Sequence, residues 1–152
     1  KGLCEDRQVS WLPSYGPEMR GGTANCSVTV SDSPIGSPII SHPDILIAMN
    51  LPSLDKYEDS VKPGGQIYID STLIERKVNR TDVSAFYIPA TQMASDSGLT
   101  TLANMIIMGK VLREGGAVSY EGLGDALKKV VSAKHADLYD ANMKAIEMGY
   151  NF

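Results

Sequence analysis

The sequence lacks long apolar runs and has few residues that could cross-link it or hold a metal. No run approaches the roughly 20 apolar residues that a membrane-spanning helix needs, and no signal-peptide pattern opens the chain. Cys4 and Cys26 have neither the number nor the spacing of a disulfide framework or a metal site. The simplest interpretation is a reducing, cytoplasmic compartment, with no membrane contact and with any iron–sulfur or zinc chemistry on another chain.

Positive charge is also scarce. The chain has 14 Lys and Arg against 18 Asp and Glu, which gives a net charge of −4, and its pI is near 5.1. No stripe of basic residues interleaved with aromatics is present, which argues against a dedicated nucleic-acid surface. His42 and His135 stand apart and lack the Cys or carboxylate spacing of a metal site, so no metal is predicted.

What is present has the composition of a globular protein. Apolar residues make up 43% of the chain and charged residues 21%, close to the averages of globular domains. A chain of 152 residues is long enough to bury a core, and no internal repeat or low-complexity tract divides it. We therefore expect one domain over residues 1–152.

The first two predicted strands flank a turn rich in glycine and proline. Residues 9–12 form a short apolar run that Pro13 should end. Residues 23–32 alternate between apolar and polar side chains, which predicts a strand with one buried face. The residues expected on that buried face are Ala24, Cys26, Val28 and Val30.

Further strands alternate with helices. Residues 33–43 contain three prolines and a glycine and are expected to be irregular, whereas the apolar run at 44–50 predicts a strand covered on both faces. A short helix with Ser53 as its N-cap should follow Pro52. Strands are then predicted at residues 66–70 and 84–90.

From Thr91 onward the apolar period becomes helical. Helices are predicted at residues 91–98, closed by Gly98, at 101–114, stopped by Gly115 and Gly116, at 120–132, and at 135–149. The order of strands and helices predicts an α/β fold: a three-layer domain whose central sheet is mostly parallel and includes one antiparallel pair. The methionines Met105, Met108, Met143 and Met148 fall at helical positions and are expected to fill the core.

Polar residues recur where the predicted strands end. They occur in residues 13–22, 50–53, 70–72 and 91–92. Ligands of open α/β sheets bind outside the carboxyl ends of the strands, so these clusters are candidates for a site along one edge. The alternative is that they only cap strands and helices.

The turn at residues 13–22 has more specific chemistry. Pro13 and Pro17 stiffen it, and its glycines permit positive φ or close approach of another backbone. Arg20 offers a planar fork of donors for phosphate or carboxylate, and Glu18 could orient it or bind a partner. The alternative is a surface turn with an exposed ion pair that contributes less than about 1 kcal/mol.

No reaction centre stands out. Cys26 is expected on the buried side of its strand, where thiols are usually inert. Ser/His/Asp arrangements and paired carboxylates are not evident in the sequence. The residues alone therefore predict a binding surface, and slow labelling of a buried Cys26 would remove the hypothesis of an independent thiol enzyme.

The segment "SYGPEMRGGTAN", with "SDSPIGSPII", "DILIAMNLPSLDKYEDSVKPGG", "IPATQMASDSG" and "LTTLANMIIMGKVL", resembles one family closely. The chain is similar over about residues 9–149 to the gamma subunit of 2-oxoacid:ferredoxin oxidoreductases, in the pyruvate:ferredoxin oxidoreductase superfamily. The 2-oxoglutarate and branched-chain 2-oxoacid types are the most similar. The "SYGPEMRGGTAN" segment is the most distinctive part of the match.

The resemblance implies a multi-subunit oxidoreductase in the cytoplasm. Such enzymes decarboxylate a 2-oxoacid on thiamine diphosphate, pass two electrons through iron–sulfur clusters to ferredoxin, and transfer the acyl group to coenzyme A. It further implies that the thiamine diphosphate and the clusters sit on alpha, beta and delta type partner subunits. This chain alone would bind no such cofactor, would be inactive by itself, and would help to bind coenzyme A, which is a substrate. The alternative is a free-standing nucleotide- or acyl-carrier-binding module without catalysis.

The resemblance also gives roles to the residues of the turn. Arg20 would contact an anion, Gly21 and Gly22 would allow close approach, and Tyr15 and Asn25 would support them by hydrogen bonds. The full set of expected binding residues is Tyr15, Gly16, Glu18, Arg20, Gly21, Gly22, Asn25 and Asn50.

One part of the family pattern has no counterpart in this sequence. Family members begin with a strand and a Gly-x-Gly-Gly-Gln-Gly turn that leads into a helix, and such a turn offers backbone N–H groups to phosphate. The opening "KGLCEDRQ" is expected to be the end of that helix, so any nucleotide site on this chain should be incomplete and apolar surface should be uncovered.

Overall fold

The computed structural model describes residues 1–14, 24–131 and 136–152 and places their strands in two separate sheets. Strands β1 (Gln8–Ser14) and β2 (Asn25–Ser31) form an antiparallel ribbon. Strands β3 (Ile45–Ala48), β4 (Gln66–Asp70) and β5 (Ser84–Ile88) form a parallel sheet in the order β3-β4-β5. The predicted α/β class is confirmed, with the antiparallel pair standing apart from the parallel sheet.

The ribbon does not bury the side that the alternation predicted. Val28, opposite Trp11, is 52% exposed, and Cys26, opposite Pro13, is exposed as well. The prediction that Ala24, Cys26 and Val28 face a core is therefore wrong, because this side of the ribbon points away from the domain. Pro13 does not end β1 either, since both strands of a two-stranded ribbon have a free edge where a missing N–H is tolerated.

Five helices lie in the described residues: α1 (Leu51–Tyr57), α2 (Ala90–Asp96), α3 (Ala103–Glu114), α4 (Leu123–Val130) and α5 (Ala136–Asn151). The first begins earlier than predicted. Asn50, in an extended conformation, is its N-cap, and the Asn50 Oδ1 accepts a hydrogen bond from the Ser53 N–H at 2.9 Å. Pro52 fits the first turn because an N–H there has no partner within the helix.

The predicted helix ends are confirmed. Gly98 has a φ of +69° just beyond α2, and Gly116 has a φ of +63° just beyond α3. Both values fall in the left-handed region that glycine adopts without steric cost. Residues 33–43 form no regular element, as predicted, and the opening residues form a single 3₁₀ turn at Gly2–Glu5.

Core side chains cover both faces of the parallel sheet. Tyr68, on β4, packs with Ile88, Ile106 and Ile107, which come from β5 and α3. On the opposite face of the sheet, side chains from α1 and from the residues around β4 form a second cluster: Leu54, Val61, Ile67, Ile69 and Ile74. Alternation along β4 thus supplies both cores, which gives the predicted three layers.

Helices α3 and α5 cross at close range because glycines lie at the contact. A Cβ on Gly109 would collide with the Ile146 carbonyl oxygen, and one on Gly149 would collide with the Ile106 carbonyl oxygen. The methionines predicted as core filling are partly buried and pack against the clusters around this crossing: Met105, Met108, Met143 and Met148. In the part of the chain that the structure describes, no helix is long and apolar enough to cross a membrane.

Candidate functional site

Two of the predicted polar clusters meet around Asp70, at the carboxyl end of β4. Asp70 is fully buried and accepts hydrogen bonds from the Thr91 Oγ1 at 2.5 Å and from the Thr72 N–H at 3.1 Å. The Thr91 N–H also donates to it, at 3.2 Å. The Thr72 Oγ1 in turn accepts from the Gln92 N–H at 3.1 Å. These groups tie the end of β4 to the first turn of α2.

A third predicted cluster caps a helix. The Asn50 side chain is occupied with the Ser53 N–H, as described above, and Ser53 is buried. For the clusters at residues 50–53, 70–72 and 91–92, the capping interpretation therefore accounts for the contacts seen. Asn50, Asp70 and Thr72 each accept a hydrogen bond from a backbone N–H at a strand or helix end, where that group would otherwise be unpaired.

An open depression of about 530 Å³ lies beside these strand ends. Its lining residues are Leu51, Thr72, Leu73, Glu75 and Arg76. The charge of Arg76 is already matched: its Nη2 lies 2.7 Å from the Asp55 Oδ1 and 2.8 Å from the Glu58 Oε2. The hydrogen bond to Glu58 raises the pKa of Arg76 above its ordinary value, although burial opposes the shift.

The Glu58 carboxylate fixes the connection between β4 and β5. Its side chain is only 5% exposed, and besides Arg76 it accepts from the Asn79 N–H at 2.5 Å. Arg80 adds to this cluster by donating to the backbone carbonyls of Glu58 and Val61. Sequence reasoning missed this cluster, because the charges of "ERKVNR" resemble an ordinary solvated connection.

Most of the predicted binding residues lie outside the described residues. These are Tyr15, Gly16, Glu18, Arg20, Gly21 and Gly22. Asn25 is described: its Nδ2 donates to the Tyr57 hydroxyl at 2.8 Å. Asn25 lies two positions after the segment 15–23. The hydrogen bond therefore holds the end of this segment against Tyr57, the last residue of α1.

The thiol and imidazole groups have no common site in the described residues. Cys26 is exposed, so fast labelling is expected and the labelling test no longer separates an inert thiol from a catalytic one. His42 is exposed in the irregular segment, and His135 lies outside the described residues. No group of three His, Cys, Asp or Glu side chains within residues 1–14, 24–131 and 136–152 could hold a metal ion.

Comparison with known proteins identifies the family of this chain. The family model of pyruvate ferredoxin/flavodoxin oxidoreductase matches residues 3–152. The chain is 37% identical to ketoisovalerate oxidoreductase subunit VorA of Methanothermobacter thermautotrophicus, over 95% of this chain and 30% of the relative. It is 33% identical to 2-oxoglutarate synthase subunit KorC of Methanocaldococcus jannaschii, over 97% of this chain and 79% of the relative. The chain thus spans less than a third of VorA but most of KorC.

Solved structures agree with the sequence comparison. The gamma subunit of a keto/oxoacid ferredoxin oxidoreductase from Geobacter sulfurreducens superposes with a TM-score of 0.79 at 29% identity, covering 98% of this chain and 82% of that one. A 2-oxoglutarate:ferredoxin oxidoreductase from Magnetococcus marinus, solved with 2-oxoglutarate, coenzyme A and succinyl-CoA bound, gives 0.82 at 22% identity, covering 95% and 25%. The second likeness is one of fold. Together these matches confirm the gamma-subunit resemblance, and the chain belongs to the pyruvate ferredoxin/flavodoxin oxidoreductase family.

Proposed function

We propose that this chain is the gamma-type part of a 2-oxoacid:ferredoxin oxidoreductase and that it helps to bind coenzyme A. The complete enzyme would convert a 2-oxoacid and coenzyme A to acyl-CoA and CO₂ and pass two electrons to ferredoxin. Alpha, beta and delta type subunits would supply the remaining chains. Thiamine diphosphate, held by those partners, would provide the electron sink for decarboxylation.

The observation that carries the proposal is the family match over residues 3–152, because it includes the whole "SYGPEMRGGTAN" segment. The hydrogen bond between Asn25 and Tyr57 supports it by fixing the end of that segment against α1. Helix α1 begins at Leu51, just beyond the carboxyl end of β3, and Tyr57 is its last residue, so the hydrogen bond anchors the segment to the end of α1 that is opposite to this edge of the sheet. Ligands of α/β sheets bind at this edge.

The charges near the carboxyl edge of the sheet indicate which residue would bind a phosphate of coenzyme A. Arg76 lines the depression there, but Asp55 and Glu58 already neutralise it. Moving it to a ligand would leave the buried Glu58 carboxylate without its cation, which is costly. In the proposed binding set Arg20 is the one cation, and its planar fork suits phosphate oxygens.

The test is a titration of coenzyme A into the assembled enzyme. Arg20→Ala should weaken coenzyme A affinity roughly ten- to hundredfold, because charge-assisted hydrogen bonds contribute about 1.5–3 kcal/mol. Decarboxylation and dye reduction before the acyl transfer should be unchanged, since thiamine is held by other chains. Arg20→Lys should recover only part of the affinity, because an ammonium keeps the charge and loses the fork.

A charge-matched control comes from α5, where Lys144 is exposed. Lys144→Ala removes one positive charge from the chain and should leave coenzyme A affinity unchanged. Unaltered affinity in an intact Arg20→Ala complex of verified stoichiometry would refute the phosphate-reading role. Weaker assembly with unaltered affinity would instead show that Arg20 pairs with Glu18 or a neighbouring subunit.

A further inference from the structure

We propose that Tyr57 is a positioning residue for coenzyme A binding: its hydroxyl holds Asn25, the point at which the ribbon resumes after residues 15–23. These residues are called the coenzyme A segment below. The inference rests on the proposed function, since it names a residue on which the binding of coenzyme A would depend. Tyr57 is not in the set of binding residues that the sequence predicted, and it acts through Asn25 rather than on the ligand.

The contact lies at the end of the ribbon that adjoins the coenzyme A segment. Ser14 and Asn25 are the last opposed pair of β1 and β2, and residues 15–23 come between them in the chain. The Asn25 Nδ2 donates to the Tyr57 hydroxyl at 2.8 Å, across 32 positions of sequence. Because Asn25 comes two positions after the segment, a displacement of Asn25 also displaces the point from which the segment is held.

Tyr57 belongs to a part of the domain that a buried charge holds in place. It is the last residue of α1 and is half-buried. The next residue, Glu58, is buried, and its carboxylate accepts from the Arg76 Nη2 at 2.8 Å and from the Asn79 N–H at 2.5 Å. Moving the end of α1 would separate this carboxylate from its partners, which is costly for a buried charge. The Tyr57 hydroxyl is therefore a fixed acceptor for Asn25.

Other contacts hold the ribbon at its opposite end. There Arg7 donates to the Ala117 carbonyl oxygen, and Glu5 accepts from the Ser119 hydroxyl at 2.6 Å. Loss of the Tyr57 hydroxyl would leave these contacts and the strand pairing intact and would release only the end of the ribbon that adjoins the coenzyme A segment. The expected defect is therefore in ligand binding more than in folding.

The size of that defect follows from the strength of one neutral hydrogen bond. A separation of 2.8 Å is ordinary for a bond between N–H and oxygen. Its net contribution is modest, because water can replace the lost partner. A tether can favour one position of the segment by no more than its own net free energy. Its loss should therefore weaken coenzyme A binding roughly three- to tenfold.

The experiment is Tyr57→Phe in the assembled enzyme, with coenzyme A as the titrated ligand. This variant keeps the ring and removes only the hydroxyl. We expect coenzyme A affinity to fall roughly three- to tenfold, so that the KM for coenzyme A rises while kcat at saturating coenzyme A is unchanged. Decarboxylation and dye reduction without coenzyme A should also be unchanged, since the proposal places thiamine diphosphate on other chains.

Tyr87→Phe is the matched control. The Tyr87 hydroxyl, on β5, accepts from the Val78 N–H at 2.9 Å, so this variant also removes one hydroxyl and leaves one N–H donor without its acceptor. Denaturant unfolding should show similar losses of stability in the two variants, because each loses one neutral hydrogen bond. Coenzyme A affinity should fall in Tyr57→Phe and stay unchanged in Tyr87→Phe.

A double-mutant cycle tests whether Tyr57 acts through Asn25. Asn25→Ala removes the donor, so the addition of Tyr57→Phe should weaken coenzyme A affinity no further. A loss of affinity from Tyr57→Phe that is as large in the Asn25→Ala background as in the unaltered enzyme would overturn the positioning role, because the hydroxyl would then act on another group.

Comparison with Arg20→Ala separates this inference from the proposed function. If Arg20→Ala weakens coenzyme A affinity and Tyr57→Phe gives the same affinity as Tyr87→Phe, the positioning role is overturned and the proposed function stands. If Arg20→Ala, Asn25→Ala and Tyr57→Phe all leave the affinity of intact complexes unaltered, both are overturned. If Tyr57→Phe weakens the affinity and Arg20→Ala does not, the positioning role is supported and only the phosphate contact of Arg20 is refuted.

Discussion

At the residue scale, Tyr68 shows how burial creates a pH-dependent stability. Its ring is fully buried, stacks on Phe86 with 4.8 Å between ring centroids, and its hydroxyl donates to the Gln66 Oε1 at 2.9 Å. Burial raises the pKa of Tyr68 to about 12, and the negative charge of Glu114 adds to the shift. The folded state therefore keeps a proton that the unfolded state releases near pH 10.

The sign of the effect follows from that difference. Stabilisation by the neutral phenol is complete below pH 10 and is lost as the pH rises from 10 toward 12. Between pH 9 and pH 11, the unaltered chain should lose about 1 kcal/mol more unfolding free energy than Tyr68→Phe. Denaturant unfolding at the two pH values measures this. Equal losses in both proteins would contradict the raised pKa, since the other titrating groups are common to them.

Single residues also show where sequence patterns stop being informative. Asn50 and Ser53 are both good N-caps, and the choice depends on where the chain leaves β3, which tertiary packing sets. Cys26 lies in a clear alternation, but alternation predicts only that the two sides of a strand differ. Which side meets the core depends on what lies beside the strand in the fold.

At the element scale, the crossing of α3 and α5 gives the sharpest stability prediction. Gly149→Ala would drive its methyl group into the carbonyl oxygen of Ile106, so the helices would have to separate and loosen the packing of Ile106 and Ile146. Overpacking typically costs about 1–3 kcal/mol, and a clash with backbone atoms places Gly149→Ala at the upper end of that range. Thermal and denaturant unfolding measure the loss.

A control glycine lies in the irregular segment. A Cβ on Gly36 would meet no atom within 4 Å, so Gly36→Ala should change the unfolding free energy by less than about 0.5 kcal/mol. Equal effects at Gly36 and Gly149 would mean that the helices adjust freely. The contact between Gly149 and α3 could not be predicted from the sequence, because a glycine near a helix end is also typical of an ordinary helix stop.

The elements themselves were largely predictable. The helical period of residues 101–114 and the apolar run at 66–70 specify α3 and β4 closely, because each element buries side chains with its own period. The strand at residues 25–31 was predicted equally well, but its surroundings were not. Ile47 in β3 is likewise 41% exposed, although a continuous apolar run predicted cover on both faces.

At the scale of the whole molecule, the fold class was predictable and the arrangement of its two sheets was not. Alternating strands and helices require a parallel sheet with helices on its faces. The position of the β1–β2 ribbon on the domain depends instead on a few contacts distant in sequence, such as Arg7 with the Ala117 carbonyl and Asn25 with Tyr57. The predicted roles of Tyr15, Gly16, Glu18, Arg20, Gly21 and Gly22 stay predictions, as does the uncovered surface expected beside the family's glycine-rich unit.

The same scale gives the last prediction: the isolated chain should not oxidise 2-oxoacids. Loss of CO₂ from a 2-oxoacid leaves an acyl carbanion equivalent, which needs a cofactor as electron sink. An iron–sulfur cluster usually takes four thiolates, and this chain has two cysteines, Cys4 and Cys26, both exposed. The purified chain with thiamine diphosphate, coenzyme A, a 2-oxoacid and a dye acceptor should therefore show no dye reduction above a blank without protein.

The control for that assay is the same chain after assembly with the proposed partner subunits, which should restore turnover under identical conditions. A restored rate shows that the chain was competent and lacked only the cofactor-bearing partners. Turnover by the single chain would contradict the division of labour proposed for it, because the electrons would then need a path that two separate thiols do not supply. Testing several 2-oxoacids in the assembled enzyme would also identify the substrate.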